Sequence, residues 1–577
     1  MGVRLKILVG LLALGLVGLS LPRMISHAES TTAVVELTDV PGKWFDPAVT
    51  IVPVGGSVDF RTTTFDATFT SAIFPCTPDS LTAGTCSLGY TGSYPSGFPV
   101  DQPDPITGTR TVTFPVAGVY VFADRVHPYA VGVVVATDED HPLTAKQQAL
   151  LNFASQNQLF LNQANWTRYG ASQLKSPDTP GVGEVWVDTQ FEDVNNQNTA
   201  GTVTVVDGDD FHLRLKVKGT SLCARADCHG LWNNPHNNWT DDTEDSVYVT
   251  HWFDHVISKV DRQSGNILAT ASVGSSPAHV ITSPGDGSLW VSVMGEETVK
   301  RLDPDTLKVT AEIQTGAAHS HPHGPWFTPD GRLMIVPNAL ADTAGILIFD
   351  TADGRLLKEI PVGFEPLAVG ITPDGKKAYL SNGLDATVDV LDLTSLAVTK
   401  TIPLADGTPG PAEFPGAFDE LSLIYPLRVP IQTPVSPDGR YVLTATLNLF
   451  GPGVIKVIDT ATDTVVETLA CEPGCHGANF GAKQGGGYYG YVTSQYTNAL
   501  QVVDVTPPDG GLPTLAGKVF LGSDGVGGQG VLPIPIAYEG WVERAVAAHA
   551  PFTASLTSCQ RQPILYVTHP DQCQPGD

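Results

Sequence analysis

The sequence predicts an all-β chain in two parts, a small N-terminal sandwich followed by a repeat array. Three observations predict it. Short runs of β-branched and aromatic residues, many alternating apolar and polar with period two, recur along most of the chain. Turn residues punctuate them densely, with 58 Gly and 45 Pro among 577 residues. From residue 235 onward one frame returns about every 45 residues, the mark of a repeated supersecondary unit.

Composition narrows the class. Asp and Glu outnumber Lys and Arg 60 to 32, for a formal net charge of −28. Phosphate binding needs a basic surface, so nucleic acid is excluded as a partner and anionic lipid is disfavoured. A hydrophobic content of 42% with 16% charged residues excludes a disordered chain. The length exceeds what one ordinary core fills.

The first residues set the expected compartment. Arg4 and Lys6 precede the apolar run ILVGLLALGLVGLSLP, and Ser26-His27-Ala28 fits a small-x-small cleavage site before Glu29. The run falls short of the roughly 20 residues that span a bilayer, so residues 1–28 read as a signal peptide rather than an anchor. The mature chain is then secreted or periplasmic, with no membrane insertion after cleavage. An oxidising compartment makes disulfides the default for the eight cysteines. They fall into local pairs: Cys76/Cys86, Cys223/Cys228, Cys471/Cys475 and Cys559/Cys573.

Residues 31–140 read as a small antiparallel sandwich, from the runs AVVELTDV, AVTIVPVGGSVDF, RTVTFPV, VYVFAD and AVGVVVAT. The segment FPVAGVYVFADRVHPYAVGVVVATD resembles the copper loop of plastocyanin-like cupredoxins, and VELTDVPGKWFDPAVTIVPVGGSVDF resembles their first strands. A blue-copper site takes a Cys thiolate, two His and a weak axial ligand. Against the cupredoxin pattern, Asp124 stands at the Cys position, Ala130 at the Met position, and His127 alone remains. The type 1 copper ligands are therefore mostly missing, and the module reads as a structural or docking domain. Residues 141–180 follow as a helical linker, rich in helix formers up to Trp166.

The frame of the repeats is a Pro, a strand, a P-D-G or P-G-D-G turn, and three further strands. Pro277-Ala278-His279 leads into SPGDG, Pro322-His323-Gly324 into TPDG, Pro366-Leu367-Ala368 into TPDG, and Pro430-Ile431-Gln432 into SPDG. This resembles the YVTN-type β-propellers, in which each repeat is one four-stranded blade. Residues 181–540 then make seven blades. Six are continuous, at 235–273, 277–315, 322–362, 366–403, 430–470 and 475–521. The seventh is split, with three strands from 183–218 and the fourth from 531–537, which closes the ring and removes its edges. Residues 541–577 read as a C-terminal tail stapled by Cys559/Cys573.

Propeller geometry gathers the candidate site on one face. His236, His323 and His476 share one repeat position, at the start of the innermost strand. His251 sits where strand two ends and His255 in the following turn, while His229, His319 and His321 lie in blade-to-blade connections. Nine of the 15 histidines fall within residues 212–323, where even scatter would put about three. Convergent imidazoles ligate copper, zinc or haem iron. The alternative is that the P-H-G turns merely shape the backbone. His279, His141 and His549 are read as ordinary.

Cys223…Cys228-His229 and Cys471…Cys475-His476 look like widened c-type haem attachment motifs, with four and three intervening residues instead of two. Disulfides are the preferred reading, because a haem needs an apolar pocket beside tightly packed blades. The cofactor expectation is copper, alternatively c-type haem, or none.

A cupredoxin module joined to a propeller is similar in layout to nitrous-oxide reductase and thiocyanate dehydrogenase, with the domain order reversed relative to the reductase. The resemblance implies a metal-dependent oxidoreductase acting on a small-molecule substrate or a redox partner protein. The other expectation is a non-catalytic binding or scaffold protein with a degenerate docking module. No nucleophile elbow, phosphate loop or H-E-x-x-H motif occurs, and no catalytic residue can be named.

Overall fold

The computed structural model describes residues 25–27, 32–38, 44–62, 70–71, 108–115, 117–123 and 131–143. It also describes 169–538 apart from 192–200, 219–234, 252–253, 275–276, 316–321, 340–344, 364–365, 384, 405–428, 448–451, 496 and 523–525. The expected signal peptide up to Met24, the positions 124–130 compared with a copper loop, the expected helical linker over 144–168 and the tail beyond Tyr538 lie outside the described residues. No described helix is long and apolar enough to cross a membrane.

The N-terminal part holds a five-stranded and a four-stranded sheet. Among their residues Val35, Phe45, Val58, Phe60 and Val112 are buried at alternate positions, while Val133, Val134, Val135 and Ala136 are buried in succession on a strand covered on both faces. The expected antiparallel sandwich needs one correction. Thr32–Thr38 pairs parallel with Ser57–Thr62, and Val49–Val52 pairs parallel with Val131–Ala136. Alternation reports which face is buried and is blind to strand direction. Ile25–His27 pairs parallel with Val49–Ile51, so cleavage before Glu29 would remove that short strand.

The rest forms seven four-stranded antiparallel sheets, the blades of a β-propeller. Blade 1 runs from Pro235 to Ser272, blade 2 from Pro277 to Gln314 and blade 3 from Trp326 to Pro361. Blades 4, 5 and 6 run Pro366–Pro403, Val429–Pro473 and Cys475–Phe520. In each, the first strand is innermost. Blade 7 takes three strands from 184–218, and its innermost strand is Val526–Ile534. Glu184 pairs with Ile534, Trp186 with Leu532 and Val187 with Val531. This closing strand begins five residues before the expected 531, because its V-G-G-Q-G start has the composition of a turn. Here the glycines serve close packing instead: a Cβ on Gly528 would lie 2.9 Å from the Ser494 carbonyl.

The blades interlock through one recurrent contact. The innermost strands of blades 1, 2, 4 and 6 bulge at their start, so two residues oppose one on strand two. The facing hydroxyl then reaches the next blade. Thr250 Oγ1 donates to the Ala278 carbonyl at 2.6 Å and Thr493 Oγ1 to the Gln529 carbonyl at 2.8 Å. Ser292 donates likewise to the His323 carbonyl and Ser381 to the Ile431 carbonyl. Each such bond satisfies a buried carbonyl and fixes the register between neighbouring blades.

Candidate metal centre

Because the innermost strands start on one face, their first residues form a ring around the axis. Three imidazoles converge there. His236 of blade 1, His279 of blade 2 and His323 of blade 3 present nitrogens that all lie within 4.8 Å of one another. Ring centroids are 5.7 Å apart for His236–His279, 5.6 Å for His236–His323 and 4.7 Å for His279–His323. Ligand nitrogens about 2.0–2.1 Å from a tetrahedral metal stand roughly 3.3 Å apart, so binding needs only small ring rotations.

Protonation favours ligation. Burial holds His323 down to about 4 and His476 down to about 3, with the His323 charge adding to the effect on His476. Burial pushes His279 well below the usual imidazole range, and the neighbouring His323 and His476 push it the same way. These imidazoles are therefore neutral at neutral pH, the form that binds metal. His323 Nδ1 lies 2.9 Å from the Leu367 carbonyl, which can only accept, so Nδ1 carries the proton and Nε2 the lone pair. Such an outer bond fixes a ligand's tautomer and ring orientation.

The mouth is two-sided. Ala278, Leu367 and Ile431, which hold the ring position in blades 2, 4 and 5, cluster with Met294, Ala339 and Val429 as an apolar wall. Below the histidines the axis encloses a cavity of about 50 Å³ lined by strand-one residues including Asn238, His279 and Gln432. That admits a few waters. Trp239 and Trp326 stack edge-to-face at 5.3 Å, and Trp326 and Tyr538 at 5.6 Å, beside this cavity.

The structure brings together His236 and His323 of the sequence-derived candidates, places His476 close enough to lower the pKa of His279 and to feel His323, and adds His279. Reading one ring position per blade hid His279, since Ala278 holds that position. The bulge opposite Ser292 puts both residues at the rim. His251 and His255 are not in the cluster. His251 is buried one strand further out, its Nε2 2.8 Å from Ser258 Oγ. His255 adopts a left-handed turn (φ 58) whose carbonyl receives the Val273 N–H. His229, His319 and His321 lie outside the described residues, as do His127, Cys223, Cys228, Cys76, Cys86, Cys559 and Cys573.

Cys471 and Cys475 are bonded to each other as a disulfide. The Cys471–His476 motif therefore has no free thiol for haem attachment. The bridge closes the turn between blades 5 and 6 and delivers His476 to the rim.

No known family model matches the chain. A stretch of 113 residues is 26% identical to dihydro-heme d1 dehydrogenase of Pseudomonas aeruginosa, covering 19% of this chain and 22% of that protein. Among solved structures, Kuenenia stuttgartiensis hydrazine synthase aligns over 40% of this chain and 77% of its own, at 19% identity and TM-score 0.30. A candidate 6-phosphogluconolactonase of Bacteroides uniformis aligns over 60% and 98%, at 17% identity and TM-score 0.44.

Proposed function

We propose that this chain is an extracytoplasmic protein that holds a transition-metal ion at His236, His279 and His323, with His476 as a fourth donor. The observation that carries this is the convergence of three imidazoles, whose ligand nitrogens lie within 4.8 Å of one another, at the start of the innermost strands. An all-imidazole set suits copper, zinc, iron or nickel; copper is the choice for a redox role. The bound ion would supply electron transfer or polarise a small substrate at the mouth. The chain's own residues fix the geometry, exclude bulk water through the apolar wall, and hold the imidazoles deprotonated. The N-terminal sheets are read as the cupredoxin-like module, acting in docking to a redox partner, and the blades as YVTN-type.

A second reading is a haem-associated propeller, supported by the likeness of 113 residues to the Pseudomonas dihydro-heme d1 dehydrogenase. Metals per chain, measured by plasma mass spectrometry after export from a host supplied with copper and iron, separate the two. One copper per chain, lost in His236→Ala with His323→Ala, supports the axial site. Iron with a Soret band supports haem, and a chain without metal leaves a binding scaffold.

A further inference from the structure

The hydroxyl that ties four of the blades to the next is absent from the other three, and one of those three carries a charge-bearing side chain instead. The position is Thr250 in blade 1, Ser292 in blade 2, Ser381 in blade 4 and Thr493 in blade 6, with Pro337 and Ala445 in blades 3 and 5. In blade 7 it is Asp188. The pairing of Val187 with Val531 and Thr189 with Gly528 sets Asp188 opposite Gln529 and Gly530. By the same pattern its side chain reaches toward blade 1, where the residue at the receiving position is His236. A Cβ built on Gly530 would lie 2.5 Å from Asp188 Oδ2 and 3.1 Å from the His236 carbonyl oxygen. Glycine there makes room for the carboxyl group.

This carboxyl group is fully buried, burial pushes its pKa up, and among the described residues the only polar side chain that approaches its oxygens is that of Asn238, outside close hydrogen-bond geometry. Asn238 is 1% exposed, and its amide makes no close hydrogen bond other than that approach to Asp188. Among the described residues no Lys or Arg pairs with Asp188. A buried carboxylate without a counter-charge is costly. A dication held by neutral imidazoles alone is costly for the same reason, since it brings an uncompensated double charge into the interior. Each arrangement supplies what the other lacks.

Resting on the metal site proposed above, we infer that Asp188 is a positioning residue that supplies the negative charge balancing the ion at His236, His279 and His323. It acts through the field and through the His236 strand, without touching the metal. The site is thereby matched to a dication over a singly charged ion of similar ligand preference.

The test uses the full-length chain stripped of metal and titrated with Zn(II) and with Ag(I) by competition against chelators. Wild type is compared with Asp188→Asn, which keeps the shape, and Asp188→Thr, which installs the hydroxyl used in blades 1 and 6. Loss of an outer-sphere partner costs about 10–100-fold in metal affinity, and both variants are expected to lose that much for Zn(II). The coulombic part halves for a single charge, so the Ag(I) loss should be about the square root of it, roughly 3–10-fold. Zn(II) affinity restored to wild type in Asp188→Thr overturns the inference, because the role would then be structural. Equal losses for the two ions overturn it as well. A wild-type chain that takes up neither ion overturns the histidine site itself, and with it the role of Asp188.

Discussion

His279 and His323 sit on the innermost strands of adjacent blades with their ring centroids 4.7 Å apart, although His279 occupies a different position in its repeat. The bulge in the first strand of blade 2 makes that meeting possible by putting Ala278 and His279 opposite the single residue Ser292. The pair therefore depends on a backbone irregularity as much as on two histidines.

His279→Ala is accordingly expected to weaken metal binding as much as His323→Ala, by about 10-fold or more each. His141→Ala, an exposed partner of Asp138, is expected to change nothing. Metal content after dialysis against a weak chelator, with near-UV circular dichroism as a folding control, checks both. Unchanged binding in His279→Ala would show that the third imidazole is not a ligand.

The metal-free protein should lose stability in acid. Burial depresses His323 to about 4 and His476 to about 3, so the unfolded chain binds protons first. Stability from these groups is complete above the unfolded value near 6.5 and falls as pH drops toward 4 and 3. Each is worth roughly 3–5 kcal/mol across that window. Urea midpoints at pH 7, 5.5 and 4.5 should decline in wild type and decline less in His323→Gln.

Glu244 should act with the opposite sign. Burial raises its carboxyl to about 7, with the Ile536 N–H donating to Oε1 at 2.7 Å. Between the unfolded value near 4.5 and about 7 the folded chain holds the extra proton, so stability falls as pH rises through that window. Glu244→Gln keeps an acceptor for Ile536 and removes the penalty, on the order of 3 kcal/mol above pH 7. Its advantage over wild type should vanish by pH 4.5.

The Cys471–Cys475 bridge closes a loop with a sequence separation of 4. Chain entropy for so short a loop is worth about 2 kcal/mol. The double Ser variant should lose about that in stability, and a few-fold in metal affinity because His476 follows the bridge directly. A loss of stability with wild-type affinity would show that His476 is placed without it.

The blades were legible because each repeats its punctuation. Pro at the start and P-D-G or P-G-D-G at the first turn recur in blades 2 to 5, and Asp at the end of strand three recurs in the others as well. Blade 7 was legible in outline, from a late β-run with no neighbours of its own, but its first residues were hidden in Gly527, Gly528 and Gly530. The direction of the N-terminal strands was not legible, since parallel and antiparallel neighbours bury the same alternate residues. At the site, repeat position found His236 and His323, and a register shift concealed His279. Asp188 carried no local signal. It stands out only when the residues facing each bulge are compared around the ring.

The division of blade 7 has a consequence for the order of synthesis. Its outer strands, Glu184–Lys218, leave the ribosome about 300 residues before Val526–Ile534, the strand that completes them. At translation speeds of about 5–20 residues per second, that edge waits on the order of 15–60 s for its partner. Any chain shortened before Val526 never closes, and it also leaves Asp188 without the strand that holds it against blade 1. A truncated product therefore keeps Asp188 but lacks the strand that packs against it, so closure of the ring and placement of that carboxyl group are lost together.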